Sequence, residues 1–99
     1  MRELFVTSQF RKDLKIIPAG IKEQVDTLLP LLRNNPTDFK LLIKKLKGFS
    51  PPIYRIRIGA YRLVYAFNAV QVILLRIRHR KDVYKNLSAS AEHHGFSRG

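Results

Sequence analysis

From Ile53 to Tyr84 apolar and polar positions alternate with a period close to two, through IYRIRIGAYRLVYAF and, after a break at Asn68, VQVILLRIRHRKDVY. β-Branched and aromatic residues dominate both runs, and such side chains fit a pleated, half-buried surface. The pattern predicts a three-stranded antiparallel meander. Gly59 and Ala60 suit a tight turn whose first central residue takes a positive φ, which sets Ile58 opposite Tyr61, Arg57 opposite Arg62 and Arg55 opposite Val64. Ile56, Ile58, Tyr61, Leu63 and Tyr65 then share an apolar face, and the arginines share the other. On the third strand Ile73, Leu75 and Ile77 alternate with Leu74, Arg76 and Arg78. The basic side of that strand joins Arg57 and Arg62 only if the second loop holds an odd number of residues, because a slip of one residue exchanges the faces of a whole strand. A three-residue loop, Asn68 to Val70, is expected.

Upstream, Glu3 to Thr7 (ELFVT) reads as a first strand, paired with the meander as an edge or a neighbour. Thr7 or Ser8 can cap the helix that follows. In SQFRKDLKII, Phe10, Leu14 and Ile17 recur at helical spacing and leave Arg11, Lys12 and Lys15 outside, up to the stop at Pro18. A second helix is expected from Ala19 to Arg33, with Ile21, Val25, Leu28 and Leu32 on one stripe. Pro30 inside it removes an N–H and crowds the carbonyl of Asp26, so a kink or a frayed last turn is expected. Between Asn34 and Pro52, Phe39, Leu42, Ile43 and Leu46 line either a strand or a further helical turn, and Gly48, Ser50, Pro51 and Pro52 mark a loop. These elements give an α+β fold: an antiparallel sheet, made of the N-terminal strand and the three-stranded meander, with two helices packed on its apolar face.

The chain of 99 residues allows one modest core. Charge changes the picture more. Lys and Arg number 19 against 7 Asp and Glu, a formal net charge of +12, which suits a protein that meets phosphate backbones, an anionic membrane surface or an acidic protein. Arg55, Arg57, Arg62, Arg76, Arg78 and Arg80 fall on the meander's basic side. Like charges directly opposite each other cost a sheet up to roughly 1 kcal/mol per pair, so clustering of one sign favours an anionic partner over a merely solvated edge. Lys40, Lys44, Lys45 and Lys47 make the connector basic, as the border of a nucleic-acid groove or as a solvated segment. No apolar run approaches the roughly 20 residues of a membrane span, and the N-terminus lacks a signal-peptide core, so a soluble cytoplasmic protein is expected. There is no cysteine, hence no disulfide and no thiol chemistry. SASAEHHGFSRG, residues 88–99, is small, polar and without periodicity, and reads as a mobile tail in which the adjacent His93 and His94 have no metal-ligand spacing.

No Gly-rich phosphate loop, HExxH, GxSxG or paired carboxylate is present, and the acids are too thinly spread for a nuclease that clusters metals. No metal or cofactor is expected. The available kit of arginine, lysine, tyrosine and His79 suits one reaction, cleavage of RNA by its own 2′-hydroxyl. Guanidiniums stay cationic and stabilise the charge growing on the phosphorus oxygens. Proton transfer falls to Tyr84 or His79, although strand parity puts His79 with Ile77 on the core side, where it serves equally as a packed imidazole.

KKLKG (Lys44 to Gly48), YRIRIGAYRLVY (Tyr54 to Tyr65) and RIRHRKDVY (Arg76 to Tyr84), in the order strand, two helices, meander, resemble the RelE branch of the RelE/ParE toxin superfamily over residues 1–87. The resemblance implies a toxin of a type II toxin–antitoxin pair: a metal-independent endoribonuclease that cuts mRNA in the ribosomal A site and is held inactive by an acidic antitoxin. Operator DNA would be met only through the antitoxin complex. Matched motif by motif, the family's catalytic residues fall on Arg55, Arg57, Arg62, Arg80 and Tyr84. Lys44, Lys45, Lys47, Arg76, Arg78, His79 and Lys81 are expected to bind RNA. Two alternatives share much of this pattern: a ParE-like toxin that targets gyrase without cutting RNA, and a basic module that binds nucleic acid by charge alone.

Overall fold

A computed structural model describes residues 1–38 and 40–83. The elements run β1 (Glu3–Val6), α1 (Ser8–Leu14), α2 (Ala19–Asn34), β2 (Ile43–Leu46), β3 (Ile53–Ile58), β4 (Tyr61–Phe67) and β5 (Gln71–His79). The strands form a five-stranded sheet in the order β1-β5-β4-β3-β2. Two features depart from the expected sheet. The connector supplies a fifth strand, β2, antiparallel to β3, and β1 lies parallel to β5, so the sheet is mixed. A strand as short as β2 carries too little alternation to announce itself, and nothing in a local pattern fixes the direction of a neighbour that arrives from the other end of the chain.

Thr7 caps α1, its hydroxyl accepting from the Phe10 N–H at 3.1 Å. α2 continues past Pro30 to Asn34, and the Asn35 N–H still bonds the Leu31 carbonyl at 2.9 Å. Both helices lie on the same side of the sheet and press Phe10, Ile17, Val25 and Leu32 onto Ile56, Ile58, Leu63, Tyr65, Val72, Leu74 and Ile77. Burial of each such aliphatic or aromatic side chain is worth about 1.5–3 kcal/mol, which is why the helices dock here. A second, smaller cluster occupies the opposite face: Ile53, Val64, Ala66, Leu75 and Val83, with Leu46, Phe49 and Ile73 around them.

Tyr65 ties the connector to the core. Its hydroxyl donates to the Pro36 carbonyl at 2.5 Å from a fully buried position. Burial, and then the neighbouring Tyr54, push its hydroxyl well above the usual tyrosine range. The neutral form is therefore the one the fold favours, and its contribution is present below about pH 10 and lost as the pH rises through the folded-state value. Tyr65→Phe is expected to cost about 1–3 kcal/mol at neutral pH, because the Pro36 carbonyl loses its donor. Thermal melts between pH 7 and 11 check both points: the wild type should lose its advantage over the variant as the solution turns alkaline.

Candidate nucleic-acid interface

The β3–β4 hairpin has the anticipated geometry. Gly59 takes a φ of 58°, and the register pairs Ile58 with Tyr61, Arg57 with Arg62 and Arg55 with Val64. The loop to β5 spans Asn68 to Val70, with the Asn68 side chain accepting from the Val70 and Gln71 N–H groups, each at 2.9 Å. The pairing beyond that loop, however, begins one residue out of phase. Phe67 faces Val72 and Tyr65 faces Leu74, a phase that, continued, would set Arg62 against Ile77 and turn the β5 arginines toward the helices. A bulge between Val64 and Tyr65 corrects it, so that Val64 faces Arg76 and Arg62 faces Arg78. Val72 and Leu74 accordingly join the helix-side core, and Ile73 and Leu75 the opposite face, which reverses the expected placement of Ile73 and Leu75.

The start of the chain bonds β5 on both sides of the bulge. The Thr7 hydroxyl lies 3.0 Å from the Leu74 carbonyl and 3.1 Å from that of Leu75. The Asp13 carboxylate accepts from the Ile77 N–H at 3.0 Å and from Arg76 Nε and Nη2 at 2.8 and 3.2 Å. Arg76, expected on the RNA side, is instead 7% exposed and held in an ion pair with Asp13, itself 4% exposed. Arg76 is thus committed to the fold, and a buried guanidinium committed to a carboxylate is not available to a backbone outside. Asp13 was legible in principle: Phe10, Asp13, Leu14 and Ile17 stand at i, i+3, i+4 and i+7, so a carboxylate lies on the buried stripe and must find a partner there.

What remains on the open face is a row and a flank. Arg57, Arg62 and Arg78 stand opposite one another on β3, β4 and β5, where facing Cβ atoms lie about 5 Å apart. Arg55 flanks them and faces Lys44 on β2. Arg57 is exposed, Arg55 and Arg78 are half-buried, and Arg62 is 8% exposed. Arg62 Nη1 donates to the Gly59 and Tyr61 carbonyls at 2.8 and 2.9 Å, which fixes its guanidinium beside the turn. Among the described residues no carboxylate pairs with Arg55, Arg57, Arg78 or Arg80. Arg80 and Lys81 are exposed in the turn after β5, and the Arg80 N–H bonds the Ala60 carbonyl at 2.8 Å, bringing that turn alongside the hairpin tip.

Other expected members stand apart. Lys45 faces Tyr54, on the opposite side from Lys44, because neighbours along a strand point to opposite faces. Lys47 is exposed in the turn after β2. His79 faces Tyr61, with the ring centroids 5.5 Å apart and edge-on, which places it on the helix side and away from the arginine row. Tyr84 lies outside the described residues, as do residues 88–99. No group of three or more His, Asp or Glu that could hold a metal ion occurs among the described residues. No described helix is long and apolar enough to cross a membrane.

A profile described as the ParE toxin of the type II toxin–antitoxin system, parDE, matches residues 4–84, and the chain belongs to that family of toxins. Within it the chain is RelE-like. It is 38% identical to toxin RelE3 of Methanocaldococcus jannaschii over 86 residues, 85% of this chain and 96% of that protein. In structure it resembles a chain of the RelB-RelE antitoxin–toxin complex from Methanococcus jannaschii, with a TM-score of 0.71 and 34% identity over 82% of this chain and 95% of that one. A mutant of the E. coli toxin RelE in the free state shares the fold, with a TM-score of 0.71 at 21% identity over 93% and 96% of the two chains.

Proposed function

We propose that this toxin is an mRNA endoribonuclease that acts in the cytoplasm on ribosome-bound messages and lets the substrate's 2′-hydroxyl serve as nucleophile. The observation that carries the reading is the cross-strand row Arg57, Arg62, Arg78, with Arg55 and Lys44 beside it and no described carboxylate on the exposed members. The attacking oxygen forms a bond to phosphorus as the 5′-oxygen of the next nucleotide leaves, and negative charge accumulates on the non-bridging oxygens. A guanidinium held in place, as that of Arg62 is, meets that charge without reorganising, which is where preorganised donors are most effective. Arg62, oriented by two backbone carbonyls, is the central donor; Arg57, Arg78 and Arg80 neutralise the phosphates on either side. Arginine exchanges protons poorly, so the proton steps are assigned to Tyr84.

The family's curated relatives and their solved complexes support a second element of the reading, an antitoxin partner. A net charge of +12 favours an acidic one, which would silence the toxin by covering the arginine row.

The test is to map new 5′ ends on messages in a translating extract given the purified toxin. Breaks confined to ribosome-bound coding sequence support the reading. An intact message pool together with gyrase inhibition would overturn it in favour of a ParE-like action.

A further inference from the structure

The turn that follows β5 is built on one residue. Of its four successive N–H groups, Arg80 donates to the Ala60 carbonyl at 2.8 Å, while Asp82 and Val83 donate to the His79 carbonyl at 2.8 and 3.0 Å. The fourth, Lys81, donates at 3.1 Å to the His79 ring itself, through Nδ1. His79 therefore receives three of the four. Its ring is held by the edge of Tyr61 at 5.5 Å between centroids. The turn starts on the helix side at His79 and ends at Val83, 1% exposed in the cluster on the opposite face. It carries Arg80 around the end of the sheet to the rim of the arginine row.

We propose that His79 is a positioning residue for RNA cleavage and that it acts only as the neutral ring, so that protonation releases the turn and withdraws Arg80 from the substrate. The proposal rests on the nuclease reading above. An imidazolium carries N–H on both nitrogens, so Nδ1 can no longer accept from Lys81 and instead presents a donor to a donor. The charged and titratable groups lining the space beside the ring are Tyr61 on β4, Arg78 on β5 and Asp82 in the turn, with Ile16 and Ile17 facing them from the segment after α1, while Arg80 and Lys81 follow in the chain and are exposed. Protonation of the ring therefore loosens the turn's hold on Arg80.

His79→Asn separates the acceptor from the titration, because the Asn Oδ1 occupies about the place of Nδ1 and accepts at any pH. Cleavage is measured from pH 8 to 5.5, and the ratio of wild type to His79→Asn is taken at each pH to cancel effects on ribosome and RNA. The ratio is expected to fall about tenfold toward the acid end, the scale of loss from a slightly misplaced group. His79→Ala should be impaired across the range. In parallel, the Lys81 amide resonance of the free wild-type protein should move with the ring's titration and stay fixed in His79→Asn, a readout independent of activity. A ratio constant with pH, or a Lys81 amide indifferent to the ring, overturns the proposal. Failure of the wild type to cut at any pH would instead remove the nuclease reading, and the amide titration would still decide whether His79 holds the turn.

Discussion

Arg62→Ala is expected to lower RNA cleavage by about two to three orders of magnitude, the usual consequence of removing one preorganised donor from a developing oxyanion. The fold should survive. The Gly59 and Tyr61 carbonyls next to the turn lose the Arg62 Nη1 donor, a change worth on the order of 1–2 kcal/mol when the carbonyls can turn to water. Arg62→Lys discriminates between charge and geometry. An ammonium keeps the field but not the planar fork anchored on Gly59 and Tyr61, so its activity should lie nearer to alanine than to wild type. Single-turnover cleavage beside a thermal melt checks both variants. If Arg62→Ala cuts at the wild-type rate, the arginine row is not the reacting surface. If it loses only about one unit of salt slope in RNA binding and there is no cleavage to lose, the protein is a charge-only binder.

Asp13→Ala is expected to have the largest effect on stability. It leaves the Arg76 guanidinium buried without its carboxylate and strips the Ile77 N–H of its acceptor. Breaking one side of a buried pair costs about 3–5 kcal/mol, which for a domain of this size lowers the melting temperature by on the order of 15–30 °C. The double variant Asp13→Leu, Arg76→Met removes both charges and should recover much of that loss, short of wild type by the orphaned Ile77 N–H. Calorimetry of the two variants is the check. An Asp13→Ala protein melting within a few degrees of wild type would show that the pair is not a main support of the bulge.

The parts legible in the sequence were those where a single residue forces a phase. Gly59 fixes the first hairpin, and from it the facing of Arg57 on Arg62 and the placing of Ile56, Ile58 and Leu63 against the helices follow by counting. The bulge was not legible. In VILLRIR the apolar positions satisfy either face, and what selects one is the Thr7 hydroxyl and the Asp13 carboxylate, some 65 residues away in the chain. The same distance hides the parallel pairing of β1 with β5 and the diversion of Arg76 to Asp13. In β2, IKKL has too few positions to show a period, so strand and helix are equally compatible with it. His79 fell by parity on the side where it is found, but its part in the turn depends on a ring-to-backbone bond that no spacing reveals.

The pairing of β1 with β5 has a bearing on synthesis. The last described strand to leave the ribosome takes an interior place between the first strand and β4, so a nascent chain lacking it has neither a partner for β1 nor a site for the Asp13 carboxylate. Until residue 79 has emerged, Arg57 and Arg62 of the hairpin lack Arg78 beside them. The arginine row is therefore completed only once β5 has been made.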